Sequence, residues 1–105
     1  MERGSHSGDR AAEIVMREAA RFISREAGSE SLITVMRAQP SSKGDRMMVF
    51  VSVFPIEKAH AALAFLERQR EAFSDHLKAH ARLRIPRVEF MLDNKELPEA
   101  LPEKP

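Results

Sequence analysis

Apolar residues recur at helical spacing through Ala12, Val15, Ala19, Phe22 and Ile23, so one stripe of a first helix, running to about Ala27, faces a core. Asp9 stands where a helix cap belongs and Gly28 where a helix stops. Two alternating segments follow, residues 32–37 and 46–54, joined by Pro40-Ser-Ser-Lys-Gly-Asp45, whose composition is that of a turn. They predict a hairpin. In its second strand Met47, Met48, Val49, Phe50, Val51, Val53 and Phe54 leave almost no polar position, the pattern of a strand covered on both faces and flanked on both edges. Helical spacing returns from about Glu57 to Ala81, with Ile56, Ala59, Leu63 and Leu66 on one stripe and Phe73 and Leu77 resuming it after an interruption at Gln69-Arg70-Glu71. A single straight helix of that length would run about 37 Å, longer than the roughly 30 Å core of so small a domain. Two helices meeting at residues 69–72 are therefore predicted. Pro86 opens a last strand, residues 87–92, and a proline at a strand start suits an edge position.

A helical crossover between the central strand and the last one makes those two parallel, while the hairpin makes the first strand antiparallel. The predicted order is α-β-β-α-α-β around one mixed three-stranded sheet, an α+β fold. With 105 residues, 43% of them apolar, the chain is long enough for one core and no second domain. Residues 1–8 are polar and rich in Gly and Ser, and residues 95–105 carry three prolines and five charges but only two leucines. Both are expected to be disordered tails around a folded unit at 9–94. Without cysteine the core must hold by packing alone, which fits the cytoplasm. The longest apolar run, residues 47–54, falls far short of the roughly 20 residues that span a bilayer, and the start of the chain has no apolar signal core. No membrane association is expected.

The formal charge is only +1, but it is unevenly placed. Between His76 and Val88 stand four Lys/Arg and two His with no carboxylate. Cations gathered at one structural junction suit a phosphate backbone. Lys78, His80, Arg82, Arg84 and Arg87 are the candidate contacts there, with Arg68 and Arg70 at the helix break and Lys43 and Arg46 beside the hairpin turn. Ordinary helix C-terminal cations would complement the helix dipole, but the missing carboxylates exceed what that requires. On the first helix Arg10, Arg17, Arg21 and Arg25 share one side, yet Glu13 and Glu18 lie three or four residues from Arg17 and Arg21, so a salt-bridged solvated face is expected. His76 and His80 have the four-residue spacing that can place two imidazoles on one metal, but no third ligand is evident and no metal site is expected. The methionines, Met36, Met47 and Met48 among them, read as core filling. Phe50 and Phe54, on the most apolar strand, read as core rather than as base-stacking groups. No Gly-rich phosphate loop, cysteine nucleophile or recognisable Ser/His/Asp arrangement supports catalysis, and no cofactor or small-molecule substrate is expected.

The element order is that of a type II KH domain. Leu83-Arg84-Ile85-Pro86-Arg87-Val88-Glu89-Phe90 with Asp93-Asn94, and Phe50-Val51-Ser52-Val53-Phe54, supported by the first helix from Arg10 to Glu26, resemble the ribosome-binding factor A family, over roughly residues 10–94. The resemblance implies a non-catalytic, KH-like RNA-binding domain at 9–94 with a helix-kink-helix. It implies as partner the small ribosomal subunit and its RNA during late maturation, bound by a monomer in the cytoplasm. The family carries an Ala-x-Gly kink where this chain has Arg70-Glu71-Ala72, or the three residues one position earlier, so the kink must form without glycine. Two other roles fit the residues: a general KH-type RNA chaperone, and a small protein-interaction module that recruits a partner through a sheet edge or the Pro-rich tail.

Overall fold

A computed structural model describes residues 6–82 and 87–93, with side chains from residue 10 onward. Helix α1 (His6–Glu26) is followed by strands β1 (Leu32–Pro40) and β2 (Met47–Phe54) and a short 3-10 turn (Ile56–Lys58). Helices α2 (Ala59–Arg68) and α3 (Arg70–His76), a wider π-type turn (Leu77–Ala81) and strand β3 (Val88–Leu92) complete the order. The sheet runs β1-β2-β3, with β1 antiparallel and β3 parallel to the central β2. This is the predicted α+β architecture.

Several boundaries differ from expectation. Helix α1 begins at His6, so Asp9 lies within its first turn rather than capping it. Its end is as expected, the Ala27 N–H bonding the Ile23 carbonyl at 2.8 Å just before Gly28. Strand β1 continues to Pro40, three residues past the expected end, because the turn itself starts later: the Ser41 N–H meets the Arg46 carbonyl at 2.9 Å and the Ser41 hydroxyl donates to Asp45 Oδ1 at 2.9 Å. Gly44 sits at φ 76° in this turn, a left-handed backbone that a Cβ would strain. Strand β3 begins at Val88, and Pro86 and the 95–105 tail lie outside the described residues.

The helix break is a single residue, Gln69, at φ −92° and ψ 1°. Its N–H is shared by the Phe65 and Leu66 carbonyls at 3.1 Å, while its own carbonyl accepts the Phe73 N–H at 2.9 Å and so starts α3. That backbone lies in the bridge region open to any L-residue, which explains how the chain turns here without the Ala-x-Gly of the family.

The core is one cluster. Val15, Ala19, Phe22 and Ile23 of α1 and Ala59, Ala62 and Leu66 of α2 meet Phe73, Leu77 and Val88, and all pack on Met47, Val49, Val51 and Val53 of β2. All of these β2 residues point to one side. The expectation that β2 is covered on both faces is thus incorrect: its residues alternate between buried and half-exposed, ending in Phe54 at 72% exposure. Apolar residues at nearly every position imitate two-sided burial, but the helices form a single layer and, among the described residues, the second face has no such cover. Phe50 and Phe54 are accordingly outside the core, as are Met36 and Met48, leaving Met47 as the methionine buried in it.

Strand β1 reaches this arrangement through a bulge. Val35 pairs with Val51 but Arg37 pairs with Phe50, so Met36 is the extra residue. Side chains alternate along a strand, and a bulge resets that alternation. Ile33 and Val35 before it and Ala38 after it pack on the core, while Arg37 faces outward.

Candidate nucleic-acid interface

Strands β2 and β3 are parallel and in register from Met47 opposite Val88, and the Met47 N–H donates to the Arg87 carbonyl at 2.8 Å. Arg46 and Arg87 therefore stand side by side where the two strands begin, at the same end of the sheet as the β1–β2 turn that carries Lys43. Both guanidiniums grip Glu89, Arg87 at 3.0 Å and Arg46 at 3.3 Å, and Arg46 also lies 4.0 Å from Asp45. The hydrogen bond from Arg87, helped by the charge and hydrogen bond of Arg46, holds the Glu89 carboxyl below its usual range against the opposing effect of desolvation.

The chain returns to this end of the sheet through the π-type turn. Lys78, His80 and Arg82 are all exposed there. Arg82 closes the turn at φ 53° and ψ 35°, and its N–H bonds the Leu77 carbonyl. Four residues lie between Arg82 and Arg87, which limits the distance between their Cα atoms to about 17 Å. Arg84 lies outside the described residues. The structure thus gathers Lys43, Arg46 and Arg87 at one end of the sheet and brings Lys78, His80 and Arg82 to the segment that leads into it.

Arg68 and Arg70 do not join that group. They flank the α2–α3 break, about 18 Å along the helix axis from Arg82, and Arg70 is paired with Glu67 at 3.1 Å.

On α1 the expected pairing is partly present, with Arg21 3.7 Å from Glu18 and Arg25 3.8 Å from Glu26. The principal partner of Glu18 is a residue whose role sequence spacing does not disclose: His76, whose Nε2 lies 2.8 Å from Glu18 Oε1 with both side chains largely buried. This hydrogen bond is the largest cause holding the Glu18 carboxyl below its ordinary value. The His76 ring packs against Phe22 and Phe73, and His80 stacks on it at 4.3 Å. One imidazole nitrogen of the His76 and His80 pair is therefore committed to a carboxylate, and among the described residues no three potential ligands come together.

Sequence reading also missed Arg37. Its guanidinium lies 3.9 Å above the Phe50 ring centre, donates to Gln39 at 2.9 Å and sits 3.5 Å from Asp93. Simple alternation places Arg37 on the same side as Ile33 and Val35, and nothing in the local sequence announces the bulge that reverses it.

A crystal structure of ribosome-binding factor A from Thermus thermophilus superposes on this chain with a TM-score of 0.69 and 26% identity, over 79% of this chain and 92% of that one. The chain has the ribosome-binding factor A fold. A homology model of the same Thermus factor, fitted into a cryo-electron microscopy map of a 30S–factor complex, agrees at a TM-score of 0.68 and 26% identity, over 82% of this chain and 94% of that one. No protein-family model matches the sequence, and no curated protein does. The likeness to ribosome-binding factor A is thus carried by three-dimensional arrangement over nearly the whole of the Thermus chain. It agrees with the resemblance read from the first helix and the two strands. Among the described residues, no helix of this factor A-like chain is long and apolar enough to cross a membrane.

Proposed function

We propose that the chain is a non-catalytic assembly factor that binds the small ribosomal subunit through its RNA during maturation in the cytoplasm, acting as a monomer. The observation that supports this most is the fold shared with the Thermus factor, whose coordinates have been fitted into a map of its 30S complex. The basic end of the sheet gives the reading a surface: Lys43 in the hairpin turn and Arg46 and Arg87 at the strand starts, with Lys78, His80 and Arg82 on the π-type turn that precedes them in the chain. Lys and Arg predominate, so the contacts are to phosphate and shape rather than to base edges. Binding energy there comes largely from release of counterions, which makes it steeply dependent on salt.

The test is cosedimentation of the purified protein with precursor small subunits, mature small subunits and assembled ribosomes. Binding is expected to be strongest to the precursors. The double variant Lys78→Gln/Arg82→Gln keeps long polar side chains and should fold normally, while the slope of log affinity against log salt should shrink by about two units. An unchanged slope would remove these residues from the interface. Affinity indifferent to salt would replace the RNA reading with that of an apolar protein-interaction module.

A further inference from the structure

We infer that the uncovered face of the sheet is a second RNA surface, a platform on which two unpaired bases stack; this rests on the reading of the chain as an RNA-binding factor. The face carries two flat groups. At one end Phe54 is 72% exposed beside its cross-strand partner Leu32, itself 64% exposed. Four residues back along β2, Phe50 lies beneath the Arg37 guanidinium at 3.9 Å. That guanidinium is tied by a hydrogen bond to Gln39 and an ion pair to Asp93, and the Arg37 side chain is 49% exposed. Between the two flat groups, β1 and β2 present the small hydroxyl side chains of Thr34 and Ser52, which face each other across the strands.

The dimensions select the ligand. Four strand residues span about 13 Å, whereas successive bases of a duplex strand are about 3.4 Å apart. One base on Phe54 and another on Arg37 must be splayed, which a single strand allows and a duplex does not. Aromatic faces and arginine planes are the surfaces on which splayed bases stack.

Charge agrees. The carboxylates of the face are occupied, Glu89 by Arg87 and Arg46 and Asp93 by Arg37. With Lys43 and Asp45 of the adjoining turn included, four cations meet three carboxylates. A phosphate backbone can follow that excess towards the basic end of the sheet. An apolar peptide would have to strip water from the Arg37 guanidinium at the centre of its footprint without replacing it, whereas a base stacks on that guanidinium and leaves its edges paired.

The chain has neither Trp nor Tyr, so Phe54→Trp provides a fluorophore whose emission reports from this face alone. The emission should be quenched by a single-stranded oligoribonucleotide of about ten nucleotides and left unchanged by a duplex of equal length. Phe54→Ala, at a site too exposed to affect folding, should weaken single-strand binding about tenfold with an unchanged thermal transition. If the chain cosediments with small subunits yet shows neither quenching nor a loss in Phe54→Ala, the platform is refuted and the subunit reading stands. If it binds neither subunits nor any RNA, both fall. Two other results would also overturn the platform. An emission shift that follows protein concentration without RNA would assign the face to a second copy. One produced by RNA-free small-subunit proteins and not by RNA would assign it to a protein partner.

Discussion

Arg82 holds the left-handed backbone at the end of the π-type turn, with φ 53° and ψ 35°. The position is one where helices ordinarily place glycine, and a side chain there costs on the order of 1 kcal/mol. Arg82→Gly should therefore stabilise the fold by about 0.5–1 kcal/mol in chemical denaturation and at the same time weaken RNA binding. A glycine variant that gains stability without losing affinity would show that the arginine is incidental. The charge of this junction is legible in the sequence, because four cations without a carboxylate need no structure to be counted. Its backbone is not legible: arginine carries no preference for positive φ, so the site announced its chemistry and concealed its strain. Gly44 is the contrasting case, a positive φ foreshadowed by residue type in a segment already read as a turn.

At the scale of elements, α1 and α3 are joined by the Glu18–His76 pair, and the Phe22 and Phe73 rings pack at 5.3 Å beside it. Because Glu18 titrates lower in the folded chain than its ordinary value of 4.5, the folded state binds its proton less readily than the unfolded state does. Its stabilising contribution is thus fully present above pH about 4.5 and fades as pH falls through the lowered value. Glu18→Gln should destabilise the protein at neutral pH, and urea midpoints should show the gap to the parent closing in acid; a gap constant with pH would mean that the carboxylate charge contributes nothing. At the strand starts, Glu89 competes with phosphate for Arg46 and Arg87. Glu89→Gln should tighten RNA binding about threefold to fivefold at low salt, with the gain shrinking as salt rises; weaker binding would place Glu89 in contact with the partner. The order of elements and the parallel and antiparallel pairings were legible from period and connection length. The two-sided burial expected of β2 was not, because composition records how apolar a strand is and not how many layers surround it. The His76 tie was equally hidden, since Glu18 and His76 are distant in sequence and no periodicity links them.

At the scale of the molecule, helices cover one side of the sheet and the other side is open, and which residues face which side depends on Met36. Side-chain direction has a period of two, so β1 is read in one frame through Val35 and in the opposite frame from Arg37 onward. Deleting Met36 would merge the two frames. Val35 and Arg37 already oppose consecutive residues of β2, so no side chain would turn over; it is a Met36 held without the bulge that would send Arg37 and Gln39 into the core or Ile33 and Val35 out of it. The deletion should therefore fold, at a cost of no more than about 2 kcal/mol as read by circular dichroism and thermal melting; failure to fold would show that the bulge itself is required. Met36→Thr, which keeps the count and changes only the side chain, should be tolerated within about 1 kcal/mol. The bulge thus works on β1 as splicing works on a message: Met36 is passed over, and the residues on either side of it keep the side that folds and the side that binds in phase.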